Sequence, residues 1–227
     1  MQNSLLIAIG RFFFYHRNWV FPVLIIGLFA LVRPASAAPV RDFMAAVFLA
    51  AGLLVRFLVL AATPVSRDGI GKRVNAEELR TSGMFSACRN PLYVGNMLIA
   101  FGYFVLHGDF LIIVLGVVLT VAIYQAIIAN EENYLRGRFG EDYVNYLART
   151  NRWWPRLGAL KDGFSGMEVS LTTGLRRDRS VLLSVAVITA GTLWYRGSGY
   201  MPPLASWVVL GGGILLYSLV RGRDKSE

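Results

Sequence analysis

Glu131 and Glu132 stand side by side at the end of an uncharged run of 21 residues, 110–130. Two adjacent carboxylates emerging at the headgroup plane of a membrane are unfavourable unless something cationic meets them. Arg136, four residues beyond Glu132, can pair with it along a helix, which accounts for one acid and leaves the other. A second cluster, Arg89-Asn90-Pro91-Leu92-Tyr93-Val94-Gly95-Asn96, opens another apolar run. Pro91 suits the first helical turn, where its missing N–H costs nothing, and Asn90 is placed to cap it. The free N–H groups and positive dipole end of such a helix favour an anion. Tyr93 and Asn96 fall on one face, and Gly95 permits close approach of backbone or ligand. Further on, Tyr143, Tyr146 and Arg149 follow at three-residue spacing, ahead of Trp153-Trp154-Pro155.

Together the clusters describe a site for a zwitterion. A helix N-terminus and Arg89 suit a carboxylate, while the Glu pair suits an amine, hydroxyls or a sulfonium. S-adenosylmethionine carries all of these groups. Methyl transfer is an in-line displacement, so it depends on positioning and charge complementarity more than on a proton relay. The scarcity of other catalytic groups is compatible with it. There are two histidines and one cysteine, Cys88, with no metal-ligand spacing, so neither a metal site nor an internal disulfide is expected.

The elements that must hold these residues are membrane helices. Of 227 residues, 55% are hydrophobic and 16% charged, with a mean hydropathy of +0.50; a soluble domain is excluded in favour of an all-α polytopic membrane protein. Uncharged stretches at 18–32, 43–66 (interrupted by Arg56), 90–108, 110–130, 180–195 and 197–220 give about six membrane helices. Lys and Arg are unevenly placed: with the N-terminus inside, 19 of the 23 fall on one side. That asymmetry predicts both termini in the cytoplasm, as in a bacterial inner membrane, and a cofactor pocket at the cytoplasmic face. It also accounts for the net charge of +9 without nucleic acid.

Residues 2–17 look like an interfacial amphipathic helix, and Ala35-Ser36-Ala37 after an apolar run resembles a cleavage site, though Arg33 intervenes. The organisation expected is 1–64 (interfacial helix and two membrane helices), 65–157 (core), 158–179 (linker) and 180–227 (an appended helix pair).

The box "RNPLYVGN", followed by "EENYLRGRFGEDYVNYLARTNRWWP", resembles the integral-membrane methyltransferase family that includes isoprenylcysteine carboxyl methyltransferase and the phospholipid N-methyltransferases. The likeness is specific over 81–157. It implies S-adenosylmethionine as cofactor, held by Arg89, Asn90, Pro91, Tyr93, Gly95, Glu131, Glu132 and Tyr143. It implies Arg149 at the reaction centre and a lipid or amphiphilic acceptor, to which Arg56, Tyr146 and Arg152 are assigned. Asn90 stands where the eukaryotic carboxyl methyltransferases carry His, so no His-dependent contact carries over. Arg56, inside the second helix, is either a ligand for an acceptor's phosphate or carboxylate, or a snorkelling side chain. Two other readings compete: a membrane sterol-type NADPH reductase, whose similar box lacks the Glu pair, and a lipid-binding scaffold, which would need neither.

Overall fold

The computed structural model describes residues 4–62, 78–156, 158–159 and 169–197. Within them the chain is helical, with no strand: α1 (Ser4–Leu31), α2 (Pro39–Ala62), α3 (Met84–Ala87), α4 (Pro91–His107), α5 (Phe110–Arg149) and α6 (Leu171–Gly197).

Three of these helices are long and apolar enough to cross a membrane: α2, α5 and α6. A fourth is added if α1 counts as one broken span, since its halves Ser4–Arg17 and Trp19–Phe29 meet at 88°. Pro22 supplies the cause, because it has no N–H for the carbonyl four residues back, at the bend. With 17 residues, α4 is apolar but falls short of the full crossing length. Six crossings are therefore not reached among the described residues, and the segment expected at 197–220 lies outside them. Residues 4–17 are also more than an interfacial arm. They continue into α1 and pack on α5, where Gly10 sits so close to the Ala126 carbonyl that any side chain would collide with it. Phe14 is buried there, and Phe21 stacks on Tyr124 with ring centroids 4.5 Å apart.

Small residues bring α2 and α4 together. A Cβ at Gly52 would lie 2.6 Å from the Gly95 carbonyl, and one at Gly102 would lie 2.9 Å from the Leu49 side chain. Gly95 is thus taken up by contact between helices. On the other side of α2, Gly174 of α6 fits against Phe57 and Ala61. The main apolar core, containing Leu28, Leu49, Ile99, Tyr103, Phe104 and Ile112, forms between α1, α2, α4 and α5.

The supposed linker is partly helical. Its described stretch 169–179 opens with Val169 and Ser170, whose Oγ accepts from the Thr173 N–H at 3.3 Å as a helix cap. The charged run Arg176–Arg179 then belongs to the first turns of α6, not to a surface loop. At the far end Arg196 closes the helix against the core, bonding Asp42 Oδ2 at 2.8 Å and the Leu106 carbonyl. Within the described residues α6 packs along α2 and is tied to it at both ends.

Candidate functional site

The site forms at the mouth of α4, against the second half of α5. Past Arg149 the chain turns out of α5 and runs back along the segment leading into α4. Backbone bonds tie the two together, Arg89 N–H to the Asn151 carbonyl at 2.9 Å and Arg156 N–H to the Ala87 carbonyl at 3.0 Å. Side chains add to them: the Tyr146 hydroxyl donates to the Phe85 carbonyl at 2.7 Å, and Asn90 Nδ2 to the Arg152 carbonyl at 3.1 Å. Asn90 therefore does not cap α4 with its side chain; it ties down the returning segment. Pro91 occupies the first turn of α4 as expected.

Gly140 makes that return possible. It interrupts α5 with φ 51° and ψ −123°, a conformation that L side chains rarely adopt. Beyond it Tyr143 and Tyr146 turn inward and are buried, their rings 6.1 Å apart. Arg149, next on the spacing, is exposed, and its Nε donates to the Asn145 carbonyl one turn back. The structure thus brings the two tyrosines together and leaves Arg149 at the rim.

At the centre lies Glu132, 5% exposed. Arg89 Nη1 meets its Oε1 at 2.9 Å, and Arg152 grips both oxygens through Nε at 3.0 Å and Nη2 at 2.6 Å. Arg152 also donates to Gln125 Oε1 at 3.1 Å. The partner expected from helical spacing, Arg136, is replaced by two arginines that converge from different segments. A fork on a carboxylate is among the stronger charge-assisted contacts. Glu131 points elsewhere, accepting from the Tyr93 hydroxyl at 2.8 Å. The Tyr93 ring rests against Tyr124, centroids 5.0 Å apart. One donor remains over: Arg89 Nε is buried with no hydrogen-bond partner.

Cys88 sits in this seam with its thiol 3.3 Å from the Trp153 carbonyl. Burial pushes the thiol up from its ordinary range, against smaller opposing effects of the Asn90 backbone and Arg89.

Arg56 lies one layer deeper. Its Nε reaches Asp178 at 3.1 and 3.2 Å, its Nη2 completes a fork on the same carboxylate, and its Nη1 donates to Asn96 Oδ1. The guanidinium is taken up by Asp178 and Asn96. Asp178 and Gln125 carried no signal in the sequence. Asp178 is hidden among three neighbouring arginines, although an arginine inside a membrane helix should have prompted a search for its acid.

Residues 40–142 match the phospholipid methyltransferase family model, a match consistent with an integral-membrane methyltransferase. The match takes in Arg56, the box from Arg89 to Asn96 and the Glu pair; Arg149, Arg152 and α6 fall beyond it. Over 79 residues the chain is 34% identical to the cobalt-zinc-cadmium resistance protein CzcN of Cupriavidus metallidurans. That alignment covers 35% of this chain and 36% of the relative, so it spans about a third of the relative's length. No solved structure matches.

Proposed function

We propose that the chain uses S-adenosylmethionine to methylate an amphiphile dissolved in the membrane. The observation that carries this is the convergence of the Arg89–Tyr93 box and the Glu131–Glu132 pair across α4 and α5, inside the region that matches the methyltransferase family. The groups present fit the cofactor. Arg89 keeps a buried Nε donor without an acceptor, suited to a carboxylate, and Glu131, which accepts from the Tyr93 hydroxyl and lies within reach of the Arg17 charge, has the sign that an amine or a sulfonium requires. When bound, S-adenosylmethionine supplies an electrophilic methyl group and departs as a neutral thioether.

The protein's part is then positional. Arg89 and Glu131 would hold the charged groups of the cofactor. Glu132 holds Arg89 and Arg152 in place, so that the mouth of α4 is closed by the returning segment. Tyr143 and Tyr146 line the wall of that closure, and Tyr146 fastens it to Phe85. Arg149 at the rim is the group assigned to meet an anionic acceptor. An acceptor carboxylate needs no base, whereas an ammonium must first lose its proton. The acceptor class is accordingly a lipid or isoprenoid carrying a carboxylate or an amine. The uneven distribution of Lys and Arg along the sequence supports a site on the cytoplasmic side of a bacterial inner membrane, with both termini on that side.

Methyl-labelled S-adenosylmethionine supplied to membranes with and without the protein provides the test, the lipids being extracted and identified by mass. A base-labile labelled lipid means a methyl ester, and a base-stable labelled amine means N-methylation. The absence of any labelled lipid or amphiphile, with no cofactor binding to the purified protein, overturns the proposal.

A further inference from the structure

Three helices meet at Arg56. Its stem crosses α4 over Gly95, where a Cβ would come within 2.7 Å of Arg56 Cγ. Its guanidinium is shared between Asn96 of α4 and Asp178 of α6. Asp178 is 2% exposed, and the Arg56 side chain 11%. One turn before Asp178, Gly174 seats α6 on Phe57, the residue next to Arg56. Asn96 stands one turn beyond Tyr93 on the same helix, and Tyr93 carries the bond to Glu131.

We propose that Asp178 is a positioning residue for the site at the mouth of α4, acting through Arg56 and Asn96. Helix α6, which lies outside the family-matched region, is then a working part of the methyl-transfer unit; this last step rests on the function proposed above. The physical reason is register. The α2–α4 contact is built around Gly52, Gly95 and Gly102, which bring the backbones together, with Leu49, Ile99 and the Phe48–Phe101 pair packed beside them; such apolar contacts leave room for a more specific resistance to sliding or rotation. A directional polar lock supplies that resistance, and fixing register is the best-attested use of buried polar groups. An α4 free to rotate would move Tyr93 away from Glu131 and Asn90 away from the Arg152 carbonyl. Asp178 neutralises Arg56 and aims its Nη1 at Asn96; without the acid, Arg56 has no reason to hold that direction.

The chain's one cysteine gives a readout that needs no cofactor. Cys88 is buried in the seam between the α4 mouth and the returning segment, so its alkylation rate reports opening of that seam. In the full-length protein in detergent, the double variant Arg56→Met/Asp178→Leu removes the charge pair while keeping volume. Apolar replacement of a buried pair is often neutral or stabilising, so its thermal midpoint should stay near wild type. Well below that midpoint, maleimide labelling of Cys88 should accelerate by about tenfold and S-adenosylmethionine should bind about tenfold more weakly, a typical size for coupling between sites. Wild-type labelling and affinity in the folded double variant overturn the proposal. So does a rise only in the acceptor's KM, which would mean that Arg56 contacts the acceptor itself. If the double variant does not fold, Asp178→Asn keeps the shape and must still speed Cys88 labelling; no increase overturns the proposal equally. Should wild type bind no S-adenosylmethionine, the methyltransferase reading fails while the cysteine rates still decide the role of Asp178.

Discussion

At the scale of single residues, the two glutamates have separate duties. Glu132 is buried with two arginines on it, and Glu131 accepts from a neutral hydroxyl. Replacing Glu132 with Gln leaves Arg89 and Arg152 without their counter-charge. Breaking a buried pair is costly, but Arg152 keeps partial access to water, so the loss should be about 2–3 kcal/mol. Thermal unfolding in detergent should show a lowered midpoint for this variant together with lost cofactor binding. Glu131→Gln retains an acceptor for Tyr93; it should keep a wild-type midpoint and still lose affinity, measured by binding of labelled S-adenosylmethionine. Equal thermal losses for the two would contradict this division. Arg149 gives a third contrast. It is exposed, and its side chain bonds the Asn145 carbonyl one turn back, so Arg149→Ala should leave folding and cofactor binding unchanged. Turnover should fall by at least tenfold if the residue meets the acceptor; unchanged turnover would remove it from the site. The carboxylates were legible in the sequence because their position after an apolar run made them anomalous. Their partners were not, since Arg152 reaches Glu132 only after a chain reversal that no helical spacing encodes.

At the scale of elements, the reversal depends on Gly140. No heavy atom lies within 4 Å of a Cβ built there, so space is not the constraint; the positive φ is. Gly140→Ala should cost about 1–3 kcal/mol, the usual cost of holding a side chain in such a region. Relief of that strain favours a straighter α5, which carries Tyr143 and Tyr146 away from the α4 mouth. Gly137→Ala is the control. It too meets nothing within 4 Å, its φ is not positive, and it should stabilise the helix by up to about 1 kcal/mol. Loss of cofactor binding in the first variant only would tie function to the break in α5, and equal behaviour would deny it. Here hydropathy and motif spacing were informative about helices and uninformative about bends. The run 110–130 and the box at 89–96 announce helices by composition. The same glycine would read as flexible, packed or irrelevant until its φ is known, and Gly95 shows the converse, a motif glycine taken up by the α2–α4 crossing.

For the whole molecule, the question is whether α6, a helix beyond the family-matched region, is dispensable. Its ties run the length of the bundle. Arg177 Nη1 donates to the Leu60 carbonyl at 3.1 Å near the site, Tyr103 bonds the Val185 carbonyl at 2.9 Å midway, and Arg196 holds Asp42 at the far end. The sequence placed α6 in a separate pair because its first turns are crowded with charge, a pattern that ordinarily belongs to a solvated loop. Those charges become intelligible only when Arg56 is seen to need a carboxylate from elsewhere in the chain. Truncation after residue 157 therefore does more than remove apolar contact; it strands a buried guanidinium inside the bundle, at a cost of about 3–5 kcal/mol by the measure of broken buried pairs. The truncated protein should express poorly and fail to elute as a single species in detergent chromatography. Adding Arg56→Met to the truncation removes the stranded charge and should recover a measurable folded fraction. Recovery by this substitution marks the ion pair as the main tie between α6 and the core. Equal loss with and without the Arg56→Met substitution would instead assign the dependence to the apolar face that Gly174 and Val185 cover.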